Sequence, residues 1–222
     1  MPLDLILMGP PGAGKGTQAA RIASERGLAH IATGDMLRAA VRDGTPLGLE
    51  AKAIMARGDL VPDDLIIAMF RDRLGAGDTG PGVLLDGFPR TSAQAEALDG
   101  MLDGLGRRIA SVLVFEIPLE ELVRRLSGRR VCRDAEHVYH LEFYPPKVEG
   151  VCDIDGSELY QRDDDHEDVI RSRYDKQWVA AAAPVLEYYT GRGLVARINA
   201  SAPVEAVGRD VDSAIDRLDG RA

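Results

Sequence analysis

A glycine-rich stretch from Gly9 to Thr17 is the part of this chain whose residue types and spacing most directly indicate a chemistry. It reads Gly-Pro-Pro-Gly-Ala-Gly-Lys-Gly-Thr. Because glycine has no Cβ, successive backbone N–H groups can point into one concavity that a phosphate can enter. Lys15 adds a mobile positive charge for the outer phosphates, and the Thr17 hydroxyl can lie near a metal ion. Gly16 separates these two residues, whereas the general pattern has them adjacent. The stretch predicts a phosphate-binding loop, the alternative being a turn that only joins a strand to a helix.

The elements that would position this loop lie on both sides of it. An apolar run over residues 3–8 predicts a short buried strand before the loop, and residues 18–23 predict a helix after it. The positive end of that helix's dipole would then face the bound phosphate.

Strands and helices alternate through most of the remaining sequence. Apolar runs predict strands at 30–32, 83–86, 110–117 and 194–198. Helices are predicted at 36–41, 47–56, 61–70, 92–98, 120–126, 168–189 and 204–218. Thr33-Gly34-Asp35 is interpreted as a turn with an N-cap before the helix at Met36. This alternation predicts a three-layer α/β fold, in which helices cover both faces of a central parallel sheet.

Three motifs come directly after predicted strands. They are the glycine-rich stretch, Asp86 and Gly87. Ligands of open parallel sheets bind beyond the carboxyl ends of the strands. We therefore expect these motifs to share one crevice.

The pattern changes after Gly128. Residues 129 to about 165 have short strand-like runs, are rich in Asp, Gly, Pro and Tyr, and contain both cysteines. We interpret this segment as a small inserted module.

Composition narrows the class of protein. The 222 residues carry a net charge of −9, which disfavours a general nucleic-acid binder. Arginines nevertheless cluster at 124–125, at 129–130 and among 162, 171 and 173, which suits a small polyanion bound at one site; the alternative is solvated helix faces. No apolar run approaches the ~20 residues that span a bilayer, and the N-terminus lacks the basic lead of a signal peptide. We expect a cytoplasmic protein without membrane or nucleic-acid partners, in which a structural disulfide is disfavoured.

Four motifs together resemble the adenylate kinases, a family of nucleoside monophosphate kinases. They are the stretch from Gly9 to Thr17, Thr33-Gly34-Asp35-Met36-Leu37-Arg38, Asp86-Gly87-Phe88-Pro89-Arg90-Thr91 and Gly128-Arg129-Arg130-Val131. Residues 139–150 and Arg162-Asp163-Asp164 are similar to the long bacterial form. The resemblance covers essentially the whole chain. It implies a P-loop core (1–31, 62–127 and 166–222), a helical flap for the nucleoside monophosphate (32–61) and a β-rich lid (128–165).

The resemblance implies reversible phosphoryl transfer, in which MgATP and AMP give two ADP, with closure of flap and lid to exclude water. Such transfer asks the protein mainly for positioning and for neutralisation of charge. Arginine suits the second task because its planar fork can make two bonds to a phosphate. The catalytic groups implied are Lys15, Arg90, Arg125, Arg129, Arg162 and Arg173. The expected partners are ATP, AMP and ADP. We expect the chain to be a monomer, since segments that close over substrates must be free to move.

The resemblance also implies two sets of binding residues. Those for ATP are Gly12, Ala13, Gly14, Lys15, Gly16, Thr17, Arg129, Val138 and Tyr139. Those for AMP are Thr33, Gly34, Arg38, Asp59, Leu60, Val61, Gly87, Phe88, Arg90, Gln94, Arg162 and Arg173. A glutamine side chain can read an adenine edge because it donates and accepts at once. Asp59 departs from the family, in which a basic residue is expected.

Several residues keep two interpretations. Asp86 is expected to hold Mg²⁺ through water, because that ion keeps much of its hydration; the alternative is a carboxylate that only ends a strand. Asp35 is either part of the AMP motif or only a helix cap, and Arg173 is either a phosphate ligand or a solvated helical arginine. The tight turn at Pro89 suggests a cis peptide bond as a further hypothesis.

The lid has a candidate metal site. Some members of the family bind structural zinc there through Cys-x2-Cys and Cys-x2-Asp pairs. Here the residue three places after Cys132 is Ala135, which cannot bind a metal. His137, five places after Cys132, can. The candidate ligands of a tetrahedral zinc are Cys132, His137, Cys152 and Asp155. The alternative is a metal-free lid held by hydrogen bonds among these side chains, to which His140 or Asp153 could contribute. Zinc would stiffen a module with little core and would not act on the phosphates.

Two other functions compete with this interpretation. One is a kinase of the same fold with UMP or CMP as acceptor or GTP as donor. Thr33, Gln94 and the long lid favour AMP. The other is a nucleotide sensor that binds ATP without turnover. The presence of the whole set of Lys15, Arg38, Arg90, Arg129, Arg162 and Arg173 argues against a sensor.

Overall fold

The computed structural model describes residues 2–57, 59–135 and 137–219. Met1, Gly58, Glu136 and residues 220–222, which belong to the predicted core, flap and lid, lie outside the described residues.

Five strands form a parallel sheet in the order β2-β3-β1-β4-β8. They are β1 (Asp4–Met8), β2 (Ala29–Ala32), β3 (Val83–Asp86), β4 (Ile109–Glu116) and β8 (Val195–Asn199). In the middle of the sheet, Ile6 of β1 lies beside Leu85 of β3 and Val112 of β4. All five residues of β1 are buried, as expected for a strand covered on both faces. The predicted central parallel sheet is confirmed.

Helices pack on both faces of this sheet. The α-helices of the described residues are α1 (Lys15–Arg26), α2 (Thr33–Arg42), α3 (Pro46–Ala56), α4 (Asp63–Leu74), α5 (Ser92–Asp103), α6 (Leu119–Ser127), α7 (Glu167–Arg173), α8 (Ala182–Thr190) and α9 (Val204–Asp219). Apolar side chains of α4, α5 and α8 pack with Ile6 on one face, and those of α1 and α9 pack with Leu5 and Leu7 on the other. The result is the predicted three-layer α/β fold.

Two helical predictions need correction. The interpretation of Thr33-Gly34-Asp35 as a capped turn is wrong, because α2 already begins at Thr33 and its N-cap, Ala32, offers no side-chain bond. Asp35 lies in the first turn, where a carboxylate is favoured by the helix dipole, and it bonds to Arg38. The predicted continuous helix at 168–189 is divided by a π-helical segment, Tyr174–Ala180, between α7 and α8.

The segment after Gly128 forms a separate antiparallel sheet in the order β6-β5-β7. Its strands are β5 (Arg129–Cys132), β6 (Val138–His140) and β7 (Leu159–Tyr160). Its buried cluster contains Cys132, Tyr139, Cys152 and Leu159. Among the residues described by the structure, no helix is long and apolar enough to cross a bilayer.

A buried ion pair fixes the start of β1. Asp4 is 0% exposed and accepts bonds from the Arg107 guanidinium, with Nε at 3.0 Å from Oδ2. The backbone N–H of Val83 donates to the same carboxylate at 3.0 Å, and Arg107 Nη1 donates to the Thr79 carbonyl at 2.9 Å. The pair therefore joins β1, β3 and the segment before β4.

We expect Arg107→Met to lower the free energy of unfolding by about 3 kcal/mol or more, because it leaves the Asp4 carboxylate buried without its cation. Urea unfolding of the purified variant measures this. The control is Arg26→Met, which breaks a pair with Asp216, 65% exposed, and should cost under about 1 kcal/mol. Equal losses in the two variants would contradict the role of the buried pair.

Candidate active site

The glycine-rich loop lies between β1 and α1, at the carboxyl end of the sheet. Gly12 and Gly14 have φ of 84° and 85°, which favours glycine, and a Cβ at Gly12 would lie 2.6 Å from Leu126 Cγ. Lys15 begins α1, and its Nζ donates to the carbonyls of Gly9 and Pro10 at 2.9 Å each. The amine thus lies directly over the loop.

A cavity of about 950 Å³ opens beside this loop. It is lined by most of the predicted ATP and phosphate residues: Gly12, Ala13, Gly14, Lys15, Gly16, Thr17, Asp86, Arg125, Arg129, Val138, Tyr139 and Arg162. A smaller cavity of about 60 Å³ is lined by predicted AMP residues: Thr33, Asp59, Leu60, Val61 and Gln94. Five predicted residues line both: Gly34, Arg38, Gly87, Arg90 and Arg173.

Phe88 lines neither cavity. Its side chain is 1% exposed and stacks on Phe70, with ring centroids 3.8 Å apart. Any contact of Phe88 with AMP would have to use its backbone. The Phe88–Pro89 peptide bond is cis, so that hypothesis is confirmed.

Positive charge dominates the large cavity. Among the described residues, Lys15 and six arginines line it beside four carboxylates. Burial lowers the pKa of Lys15 to about 8, with the cations of Arg90, Arg173 and Arg129 adding to the effect against the opposing Asp86. Burial and the neighbouring Arg173 lower the pKa of Arg90 to about 10. Keeping these side chains charged therefore costs free energy, and a bound anion would reduce that cost.

Two of these arginines pair with carboxylates of the acidic run after Arg162. Arg129 makes a two-pronged bond to Asp165, with Nε and Nη2 at 2.8 and 2.6 Å from its oxygens. Arg173 Nη1 lies 2.7 Å from the carboxylate of Asp164. Burial nevertheless leaves the pKa of Arg173 below its ordinary value.

Two others keep unused donors. The Nε atoms of Arg38 and Arg162 are buried and, within the described residues, have no hydrogen-bond partner. Burial, followed by the cations of Arg38 and Arg129, lowers the pKa of Arg162. A buried donor without a partner costs free energy that a ligand oxygen could recover.

Arg125 has a different surrounding. Its Nε donates to Glu121 at 2.9 Å and its Nη1 to the Ala200 carbonyl at 3.0 Å. It lines the large cavity with its guanidinium already bonded.

Asp86 ends β3 beside the loop. Its carboxylate accepts no hydrogen bond from the described residues, and its Oδ2 lies 4.0 Å from His30 Nε2. Oxygen ligands that no donor occupies suit a hydrated Mg²⁺. Thr33 is buried next to it and donates to the Asp86 carbonyl at 3.4 Å.

The residues of the smaller cavity are held by bonds within the protein. Asp59 lies 2.6 Å from Lys176 Nζ and 3.1 Å from Arg57 Nε. Gln94 bonds to Asp63 and to the backbone of Arg90. The acidic residue at 59 is therefore paired with Lys176 of the π-helical segment.

Three residues at this site had no role predicted from the sequence. Gln177, on the π-helical segment, lines both cavities and accepts from Arg90 Nη1 at 2.8 Å. Asp164 and Asp165 pair with Arg173 and Arg129. The acidic run after Arg162 was visible in the sequence, but such runs are usually solvated; Gln177 had no comparable signal.

The segment predicted as the lid brings together the four predicted metal ligands. One ligand atom from each of Cys132, His137, Cys152 and Asp155 lies within 4.8 Å of the others. His137 Nδ1 is 3.3 Å from Cys152 Sγ and 3.3 Å from Asp155 Oδ2, and Cys132 Sγ is 3.1 Å from the same oxygen. Tetrahedral zinc with bonds of about 2.0–2.3 Å would set its ligands roughly 3.3–3.8 Å apart. The donor set and its spacing fit zinc.

The same cluster also contains hydrogen bonds that a metal-free lid could use. Ser157 Oγ lies 2.8 Å from Cys132 Sγ and 2.7 Å from Asp155. His140 and Asp153 are not part of the cluster, since His140 Nδ1 accepts from the backbone of Glu142 and Asp153 accepts from that of Lys147.

Comparison with known proteins decides the family. The family model described as adenylate kinase matches residues 7–194. This chain belongs to the adenylate kinase family. The adenylate kinase of Carboxydothermus hydrogenoformans is 50% identical over 215 residues, which cover 97% of this chain and 100% of that protein. That of Streptomyces avermitilis is 50% identical over 218 residues (98% and 99%), and that of Methanocella arvoryzae 49% over 216 residues (97% and 100%).

Proposed function

We propose that the protein catalyses reversible phosphoryl transfer from MgATP to AMP, giving two ADP. The observation that carries this proposal is the convergence of Lys15 and six arginines on one cavity beside the glycine-rich loop. Membership of the adenylate kinase family supports it.

The cations have three proposed roles around the transferred phosphoryl group. Lys15 and the loop amides hold the phosphates of ATP, while Arg38 and Arg90 hold the phosphate of AMP. Arg129, Arg162 and Arg173 neutralise the charge that spreads over the phosphoryl oxygens in the transition state, and Arg125 borders them. The unused Nε donors of Arg38 and Arg162 are available for these oxygens.

Mg²⁺ supplies a further positive charge and orients the phosphates when bound. Asp86 is the residue that would hold it, through the water of its hydration shell, because its carboxylate lies beside the loop without a donor among the described residues.

Closure is proposed for the flap (32–61) and the lid (128–165). Two contacts would mark their closed positions. Asp59 of the flap reaches Lys176 of the π-helical segment, and Asp164 of the lid pairs with Arg173 of α7. Water excluded in this way cannot take the phosphoryl group in place of AMP. A monomer is proposed as the working state, since both segments must move.

Lys15→Met should lower kcat for ADP formation from ATP and AMP by more than about 100-fold, because it removes a charge that stabilises the transition state. Circular dichroism should show that the fold is kept. Lys52→Met is the matched control, since Lys52 is an exposed lysine of α3, and it should keep wild-type activity.

A coupled assay of ADP formation separates the rival kinases when UMP or CMP replaces AMP as acceptor, or when GTP replaces ATP as donor. Preference for UMP or CMP over AMP, or tight ATP binding by the wild type without turnover, would contradict the proposal. Unchanged activity in Lys15→Met would contradict the role given to that lysine.

We also propose that Cys132, His137, Cys152 and Asp155 hold a structural zinc ion. The short distances among their ligand atoms support this. The ion would add folding free energy to a sheet whose buried cluster is small.

Protein purified without chelator should then contain one zinc ion per chain by atomic emission. Cys152→Ser should lose the metal and unfold at a lower temperature, whereas Asp153→Asn, which changes the adjacent residue outside the cluster, should keep it. Wild-type protein free of zinc, with the same melting temperature before and after added Zn²⁺, would contradict the zinc site and favour the hydrogen-bonded lid.

A further inference from the structure

A closed ring of hydrogen bonds joins the start of α4 to the start of α5 beside the smaller cavity. Gln94 Nε2 donates to Asp63 Oδ1 at 2.7 Å, and the Thr91 hydroxyl donates to Asp63 Oδ2 at 2.6 Å. The same hydroxyl accepts from the Gln94 backbone N–H at 3.2 Å, which makes Thr91 the N-cap of α5. Each carboxylate oxygen of Asp63 thus has a defined donor.

A further contact occupies the other end of the Gln94 amide. The backbone N–H of Arg90 donates to Gln94 Oε1 at 2.7 Å. A primary amide has two N–H donors and two carbonyl lone pairs, and the described residues use one of each. Gln94 is 2% exposed and lines the smaller cavity. One N–H and one lone pair are therefore left for a ligand in that cavity.

Both contacts select the same orientation of the amide. A carboxylate only accepts hydrogen bonds, and a backbone N–H only donates them. If the amide were turned over, Oε1 would face the carboxylate of Asp63 and Nε2 would face the N–H of Arg90. Each buried bond lost in this way costs about 1–3 kcal/mol. The turned-over amide is therefore strongly disfavoured.

We infer that Asp63 is a positioning residue for acceptor specificity, which makes Gln94 read adenine and reject a base with a 6-oxo group and an N1–H. This inference rests on the proposed transfer to AMP and on the assignment of Gln94 to its base. Adenine presents an acceptor at N1 and a donor at its 6-amino group, which match the remaining N–H and lone pair of Gln94. Hypoxanthine and guanine present a donor at N1 and an acceptor at O6, which match only the turned-over amide.

The test compares AMP with inosine monophosphate (IMP), whose bases differ at these two positions. In Asp63→Asn, the new amide can face Gln94 with its nitrogen, so the turned-over Gln94 gains a partner. We expect the ratio of kcat/KM for AMP to that for IMP to fall by about tenfold or more. The ratio of dissociation constants, measured by calorimetry without turnover, should move in the same direction.

Asp63→Ala removes the acceptor without offering a donor, so it should lower the selectivity ratio less than Asp63→Asn. Asp64→Asn is the matched control: it removes the same charge from the same first turn of α4, but Asp64 is exposed and outside the hydrogen-bonded ring, so the ratio should stay at its wild-type value.

An unchanged AMP-to-IMP ratio in both Asp63 variants, or equal losses for the two acceptors, would overturn the inference. A wild-type protein that does not phosphorylate AMP would instead overturn the proposed function. The two failures are therefore distinguishable.

Discussion

The burial of positive side chains around the glycine-rich loop, together with the repulsion among them, is the constraint on which the rest of this structure depends. Lys15, Arg90, Arg162 and Arg173 all have pKa values below their ordinary range, with burial as the first cause. For Lys15, whose pKa falls from 10.5 to about 8, burial of the charged amine lowers the free energy of unfolding below about pH 8. That penalty disappears as the pH rises towards 10.5. A bound polyphosphate would raise these pKa values again, because each of its negative charges favours the cationic forms of the side chains.

The fold supplies the rigidity that this charge cluster requires. A parallel sheet with apolar layers on both faces brings the ends of β1 and β3 together, so that Lys15 and Asp86 meet at one edge. At the opposite end of β1, the Asp4–Arg107 pair fixes the strand in register with β3. Helix α1 begins at Lys15 and presents its positive end to the same cavity. The buried Nε donors of Arg38 and Arg162, which lack a partner among the described residues, thus lie in the cavity where a ligand would bind.

Local patterns were sufficient for much of this arrangement. The loop and the parallel sheet were predictable because they depend on residue types at short spacing, and the four lid residues that come together were candidates through the resemblance to adenylate kinases. The capped turn at Thr33 was wrong, because an acidic residue in a first helical turn and one at a cap look alike in sequence. The π-helical segment that brings Gln177 to the cavities depends on tertiary packing. The orientation of Gln94 depends on Asp63, distant in sequence, and on a backbone N–H, which no residue pattern reveals.

The most direct measurement of the central claim is the proton uptake that accompanies binding of diadenosine pentaphosphate, determined by calorimetry at pH 8 in buffers of different ionisation enthalpy. Its phosphates have no proton to lose or gain near this pH, so uptake reports the protein. With Lys15 half-protonated at pH 8 in the free protein, binding should take up about half a proton per chain, and Lys15→Met should take up correspondingly less. Tight binding without proton uptake, or no binding at all, would contradict the claim that a polyphosphate offsets the burial of these cations and the repulsion among them.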